Sequence, residues 1–337
     1  MSSRRIVVLT DLHLRSDALP GFLNKQLETC FRLVDQKPAD AVVINGDIFH
    51  HRNPRSQEII AFRDFLSSIN TKQIIINRGN HDTLRKDGSS ESILRVYSDI
   101  AEVVIDTRTI EVAGMPIDFI PHYEDEDQIL DSIKSCESKI MFGHFGYNRC
   151  AKYGGYFYKS KIRKSHMKNI SLLGHIHTPK DDGNVYIIGT AYSNSFHEAN
   201  QIKKSCDIIL YKDQIDVIRK PVDFGIRHIQ TTIDKIEEFD KKYKFKDFFT
   251  VLRVKLDKLD SFSVQKIKED ILTNYSIRHL DFDFDDMLPK TPMELSNVPS
   301  LITIDDKVIE DYIKNSKTIF SSDELWEALK EIRDASE

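Results

Sequence analysis

Asp11-Leu12-His13, Gly46-Asp47, Gly79-Asn80-His81-Asp82, Gly143-His144 and Gly174-His175-Ile176-His177 are five short segments of a 337-residue chain that carry carboxylate, amide and imidazole groups. Such an ordered set suits two divalent cations. Two ions about 4 Å apart can clamp a phosphate, polarise its oxygens and supply a bound hydroxide for in-line attack. One carboxylate must bridge them, and Asp47 is the natural bridge because it follows a central strand with no other acid beside it. Asp11, His13 and His177 then complete one metal set, and Asn80, His144 and His175 the other. His175 and His177 are separated by one residue, so on extended backbone their side chains point the same way, as ligands of neighbouring metals require.

His81 directly follows Asn80 and therefore points differently, free to face the leaving oxygen. A cationic or proton-donating imidazole there offsets charge as the P–O bond breaks. Asp82 is expected to orient it through the other ring nitrogen. The shorter motifs are individually weak, but Gly-Asn-His-Asp is expected only about 0.002 times by chance in a chain this long, and the fixed order of all five strengthens the reading.

These groups need a scaffold that gathers distant residues. Each polar segment follows a β-branched or apolar run that reads as a buried strand: Ile6 to Leu9, Ala41 to Ile44, Ile74 to Ile76, Ile140 to Phe142 and Ile170 to Leu173. In an open α/β sheet, ligand groups collect beyond the carboxyl ends of the strands. Helical spacing over Phe22 to Leu33 and Ile59 to Ile69 makes the first 140 or so residues βαβ in construction. The pattern then becomes mostly strands, with Val185 to Ile188, Asp207 to Tyr211 and Ile215 to Ile218 set between short polar turns. Pro221 to Gly225 reads as a boundary. A small α+β domain follows, with strands over Phe249 to Leu256 and Ile277 to Phe284 and a helix over Ser263 to Leu272.

The organisation expected is thus residues 1–222, a capping domain over 223–287, a linker over 288–300 and a helical segment over 301–337. In the last, Ile304, Val308, Ile309, Tyr312 and Ile313 share one helix face, and Leu325, Trp326, Leu329 and Ile332 another. Neither helix is long enough to be stable alone, so each must dock on something.

Composition sets the class. Hydrophobic residues at 40% and charged residues at 30% describe a globular chain rather than a disordered or fibrous one. No stretch approaches a membrane span, and the short polar start before Ile6 leaves no room for a signal-peptide apolar region, so the expected location is cytoplasmic. Cys30, Cys136, Cys150 and Cys206 have neither paired metal spacing nor disulfide-rich density, which fits a reducing compartment. The net charge of −5 is segregated: residues 281–337 hold 15 acidic and 6 basic residues, leaving the body net positive.

Asp-x-His, Gly-Asp, Gly-Asn-His-Asp, Gly-His and Gly-His-x-His in this order resemble the calcineurin-like metallophosphoesterase superfamily over about residues 6 to 220. Within it, the chain most resembles SbcD-type DNA nucleases, T-even bacteriophage recombination endonuclease subunits among them. Gly46-Asp47-Ile48-Phe49-His50, Gly155-Tyr156-Phe157-Tyr158-Lys159 and Tyr186-Ile187-Ile188-Gly189-Thr190 carry that narrower match. The resemblance implies a two-sheet α/β sandwich, manganese as cofactor, a homodimer, a partner SbcC-type ATPase with long coiled coils, and a prokaryotic or phage-infected host cytoplasm. It implies DNA-end hydrolysis, by exonuclease or endonuclease action, in recombination, repair and replication. It also implies His81 as the catalytic histidine and puts His50 near the DNA backbone. Mixed histidine and carboxylate ligands also suit magnesium, iron and zinc.

Three other readings compete. Protein phosphatases of the superfamily carry Val-Asp-Arg-Gly after the bridging acid, which this chain lacks. Lipid-precursor pyrophosphatases have Asn-Arg where Asn80-His81 stands. A binding scaffold without catalysis is disfavoured because every ligand and His81 are present.

Between Ser138 and Lys180 there is no acidic residue, whereas Arg149, Lys152, Lys159, Lys161, Arg163 and Lys164 are basic and interleave with Tyr156 and Tyr158. Such residues can neutralise phosphates and stack on bases. The segment lies between ligand histidines, which predicts a DNA-binding surface near the chemistry. The plain alternative is a solvated loop with a few core aromatics.

Overall fold

The expected β-branched runs form strands whose side chains alternate between two apolar layers. The structure, a computed structural model, describes residues 3–85, 91–150, 157–256 and 261–283. The expected linker and helical segment, with the docking residues of 301–337, lie outside these.

The strands are β1 (Arg4–Leu9), β2 (Ala41–Asn45), β3 (Ile74–Asn77), β4 (Glu102–Val104), β5 (Arg108–Val112), β6 (Met115–Ile120), β7 (Ile140–Gly143), β8 (Ile170–Leu173), β9 (Lys180–Asp182), β10 (Val185–Ile187), β11 (Lys204–Leu210), β12 (Ile215–Pro221), β13 (Ile226–Thr232), β14 (Phe249–Lys255) and β15 (His279–Asp283). The α-helices are α1 (Phe22–Asp35), α2 (Ser56–Ser68), α3 (Glu126–Ser135), α4 (Ile236–Tyr243) and α5 (Ser261–Asn274). One six-stranded sheet runs β12-β11-β1-β2-β3-β4 and a second β5-β6-β7-β8-β10-β9. This is the two-sheet α/β sandwich expected.

Between the sheets, Ile6, Val8, Ala41, Val43 and Ile75 meet Ile117, Phe119, Ile140, Phe142 and Leu172. The Phe119 and Phe142 rings stack with centroids 5.2 Å apart. The alternate residues Val7, Leu9, Val42, Ile44 and Ile76 face Phe22 and Leu33 of α1 and Phe62 and Leu66 of α2. On the far side, Met141, Leu173 and Val185 cover Ile129 and Ile133 of α3. Strands buried on both faces read as continuous apolar runs, which explains why they are so plain in the sequence.

Helices also fix the loops that carry the polar segments. Gln26 of α1 donates to the carbonyl of His13 (3.0 Å) and accepts from the Arg15 N–H (3.1 Å). Glu58, buried in the first turn of α2, accepts from the backbone N–H groups of Ser16 (2.6 Å) and Arg55 (2.9 Å).

β12 ends at Pro221, and β13 opens a third sheet, β13-β14-β15, in which both pairings are parallel. α4 and α5 connect its strands, a β-α-β-α-β run. Residues up to Asp283 belong to one compact unit. Phe249 at the start of β14 packs on the layer that holds α1, its ring centroid 6.0 Å from that of Phe22.

Candidate metal centre

Parallel register brings the ends of β1, β2 and β3 side by side, with Leu9 opposite Ile44 and Ile44 opposite Ile76. Gly143 and Leu173 likewise align the ends of β7 and β8. Past those ends the backbone bends sharply. Asp11 (φ 51°), His13 (φ 44°), Asp47 (φ 53°) and His175 (φ 78°) all occupy the left-handed region. Non-glycine residues there cost on the order of 1–3 kcal/mol each and persist where the surrounding structure over-determines them. Hydrogen bonds do so here: the Asp11 N–H donates to the Gly46 carbonyl (2.9 Å) and the His13 N–H to the Asp47 carbonyl (3.0 Å). Gly46 is itself left-handed at φ 86°, and a Cβ there would lie 2.2 Å from His144 Nδ1.

Asp47 lies between two groups of donors. Its Oδ2 is 3.6 Å from His13 Nε2, and its Oδ1 is 3.4 Å from His144 Nε2. His13 Nε2 lies 3.0 Å from His177 Nε2, and the latter 3.9 Å from Asp11 Oδ1. On the other side, His175 Nδ1 is 2.8 Å from Asn80 Oδ1. The structure therefore brings all seven expected ligands together. Asp11, His13 and His177 form one close set, and Asp47, His144 and His175 another.

The donor atoms fit divalent cations. His144 Nδ1 meets the Asn45 carbonyl at 2.8 Å, which places a proton there and makes Nε2 the nitrogen that can turn to a cation. That Nε2 is buried without a hydrogen-bond partner while it faces two carboxylates. Burial works against charge on His144, but Asp47 and Asp11 outweigh it and push its pKa up to about 9. A metal ion would stand where that proton otherwise goes. Burial and the neighbouring His144 hold His175 down to about 3, so it would meet a cation as a neutral imidazole. Burial also resists ionisation of Asp47, yet His144, His13 and His81 hold its carboxyl well below the usual range.

His81 donates its backbone N–H to Asp47 Oδ1 (2.8 Å) and lines a cleft of about 410 Å³ with His13, His50, Asn80, His175 and His177. It also forms a close set with His13 and Asp47. The expected contact between Asp82 and the His81 ring is absent. His81 Nδ1 instead meets the His50 carbonyl at 2.6 Å. Asp82 is fully buried and accepts from the backbone N–H groups of Asp47 (2.9 Å), Ile48 (2.9 Å) and Gly79 (2.8 Å). Its neighbours are therefore the loops that carry Asp47 and Asn80, and it shapes those loops rather than the His81 ring. The His50 ring lies in the cleft, held down to about 4 by burial and by Arg15, His51 and His81.

The basic segment is less free than its sequence implies. Lys161 pairs with Asp127 at 2.8 Å, and Lys164 with Asp182 at 2.5 Å. These acids lie outside the segment, on α3 and β9, so folding supplies counter-charges that the sequence places elsewhere. Arg149, Lys159 and Arg163 are exposed. The rings of Tyr158 and His175 meet at 87° with centroids 5.5 Å apart, so Tyr158 packs beside a candidate ligand. Lys152 and Tyr156 lie outside the described residues.

Two further groups around the ligands carry no spacing signal. His122 stacks on His175 (centroids 5.9 Å apart, 22° between planes), and burial with His144 nearby holds it down to about 4. Glu198 accepts from His177 Nδ1 at 2.7 Å. Only the folded chain brings either to the centre.

Residues 4–179 match the family model for calcineurin-like phosphoesterases. The chain belongs to that family. As a calcineurin-like phosphoesterase it is a metal-dependent hydrolase, and its strand-end ligand clusters are where such a chain would hold divalent metals. Similar solved structures include a yellow lupin purple acid phosphatase (14% identity, TM-score 0.39, covering 65% of this chain and 52% of that one). This phosphoesterase thus spans about half the length of the lupin protein. An archaeal phosphodiesterase matches at 14% identity and TM-score 0.36 (65% and 99% covered), and a Pseudomonas putida nuclease at 16% and 0.31 (61% and 70% covered). At such TM-scores these likenesses carry no functional argument. No curated protein matches the phosphoesterase. Among its described residues, no helix is long and apolar enough to cross a membrane.

Proposed function

We propose that this phosphoesterase is a two-metal, manganese-dependent nuclease that hydrolyses phosphodiester bonds at DNA ends. In this reading it is the SbcD-type subunit of a complex with a coiled-coil ATPase, acting as a homodimer in DNA recombination, repair and replication. The observation that carries the reading is His81, next to the ligand Asn80 and facing the same cleft as His13 and His177. A phosphodiester has an alkoxide leaving group, and an imidazole at that place can protonate it.

Bound between the two ligand sets, divalent cations would polarise the phosphate and lower the pKa of a bound water. The chain's own residues would do the remainder. Asp47 presents one oxygen to each set, the His81 ring sits against His13 with centroids 4.8 Å apart, and His50 lines the wall where a DNA backbone would run. Arg149, Lys159 and Arg163, exposed on the segment between His144 and His175, would add phosphate contacts. The acidic residues 301–337 would dock on the ATPase near the roots of its coiled coil through Ile309, Ile313, Trp326 and Leu329, since their charge opposes direct contact with DNA.

The purified chain with manganese should release nucleotides or fragments from end-labelled duplex DNA while leaving a generic phosphomonoester largely intact, and adding the ATPase should change the products in an ATP-dependent way. Rapid phosphomonoester turnover with inert DNA would replace the nuclease reading with a phosphatase one.

A further inference from the structure

His177 is more open than His13 and His144, with 32% of its side chain exposed against 4% and 0%. Packing alone therefore does not fix its ring. What touches it is Glu198, only 3% exposed, whose Oε1 lies 2.7 Å from His177 Nδ1. Its other oxygen accepts from Lys203 Nζ (2.6 Å), Thr190 Oγ1 (2.9 Å) and the Asn194 N–H (3.4 Å). Lys203 Nζ also reaches the His177 carbonyl at 3.3 Å. A carboxylate on Nδ1–H leaves the Nε2 lone pair aimed at Asp11 and His13, and makes it a stronger donor.

The turn that carries Glu198 is bonded at both ends to β13. The Ser193 N–H donates to the Ile226 carbonyl and the Asn200 N–H to the His228 carbonyl, each at 3.1 Å. The Asn200 side chain accepts from the Gln230 N–H (3.1 Å) and donates to the Gln230 carbonyl (2.8 Å). Phe196 lies between His228, its ring centroid 4.9 Å away, and the Arg253 guanidinium, 3.9 Å from the ring.

We infer that Glu198 is a positioning residue for the metal set of Asp11, His13 and His177, and that the 193–200 turn makes that set's affinity depend on how the three-stranded sheet is seated. The inference rests on the metal-binding reading of the site and is independent of which phosphodiester is cleaved.

Calorimetric titration of the full chain with Mn2+ tests it without any activity assay, with His177→Ala and His144→Ala marking which binding event belongs to which set. Glu198→Gln should weaken the event that His177→Ala abolishes by about 10- to 100-fold and leave the other unchanged. Because Glu198→Gln strands a buried ammonium, Glu198→Gln with Lys203→Met should give the same selective loss. Asn200 sits at φ 62°, so Asn200→Gly keeps the backbone and removes only the amide, and should weaken that same event by a smaller factor. Parental affinities in Glu198→Gln, equal weakening of both events, or recovery in the double variant would overturn the positioning role. An unchanged Asn200→Gly titration would overturn the link to the sheet.

Discussion

His81 Nδ1 lies 2.6 Å from the backbone carbonyl oxygen of His50. A carbonyl can only accept, so the proton is fixed on Nδ1 and the opposite nitrogen is left for the cleft. With Nδ1 so held, donation to a leaving oxygen requires a second proton on Nε2; if His81 acts that way and is not a ligand, His81→Ala should retain two bound metals, measured by elemental analysis, while cleavage falls by at least about a hundredfold, the scale of losing a general acid. Loss of one metal together with activity would instead make His81 a ligand. His50→Ala removes no atom of this contact and should lower cleavage far less.

Asp47 and Asp82 should respond differently to loss of charge. Asp47→Asn weakens the carboxylate that turns one oxygen to each ligand set, so both metals should bind more weakly while the metal-free fold persists. Asp82→Ala leaves three buried N–H groups without an acceptor and should destabilise the metal-free protein by about 3 kcal/mol or more, read from urea unfolding. Tight binding of two metals in Asp47→Asn would remove it from the bridge.

Salt dependence separates the cations of the basic segment that have no acidic partner among the described residues from the paired ones. Replacing Arg149, Lys159 and Arg163 with Ala should flatten the log-log salt slope of duplex binding by up to roughly 3, at about 0.9 for each phosphate no longer neutralised. Replacing Lys161 and Lys164 should flatten it less, because Asp127 and Asp182 already face them. The opposite ranking would place the DNA on the α3 side of the segment.

His228 gives a pH prediction away from the metal ligands. It is 5% exposed between Phe22 and Phe196, and burial holds it down to about 4. As pH falls through about 6.5 the unfolded chain takes up a proton that the folded chain refuses, so stability is lost progressively until about pH 4. The loss should total about 3 kcal/mol from this group. Urea unfolding of the parent and His228→Leu across that range should show a shallower acid decline in the variant. Parallel curves would mean that His228 is protonated in the folded state.

The sheets and the ligand set were legible because both are written locally. Ile74 to Ile76 and Ala41 to Ile44 are continuous apolar runs, and each ends directly at its ligands. The β5–β6 hairpin, which carries the chain from one sheet to the other, has no such signature, since Arg108, Thr109 and Glu111 interrupt any apolar run. Glu198, His122 and the true neighbours of Asp82 were hidden for another reason. Their partners, His177, His175 and the Asp47 loop, are distant along the chain, and nothing in their own surroundings distinguishes them from other acids and histidines. The pairing of Lys161 and Lys164 was obscured in the same way, by acids outside the window that made the segment look uniformly basic.

β1 pairs antiparallel with β11, and Arg5 reaches Asp207 across 202 residues of sequence. On the ribosome, at about 5–20 residues per second, one edge of the first strand made therefore waits on the order of 10–40 s for its neighbour. During that interval Ile6, Val7 and Val8 sit beside an unsatisfied row of backbone donors and acceptors, the kind of edge on which nascent chains aggregate. Translation up to β11 is thus the interval in which this protein depends most on chaperone cover, and slowing elongation between β2 and β11 would lengthen it.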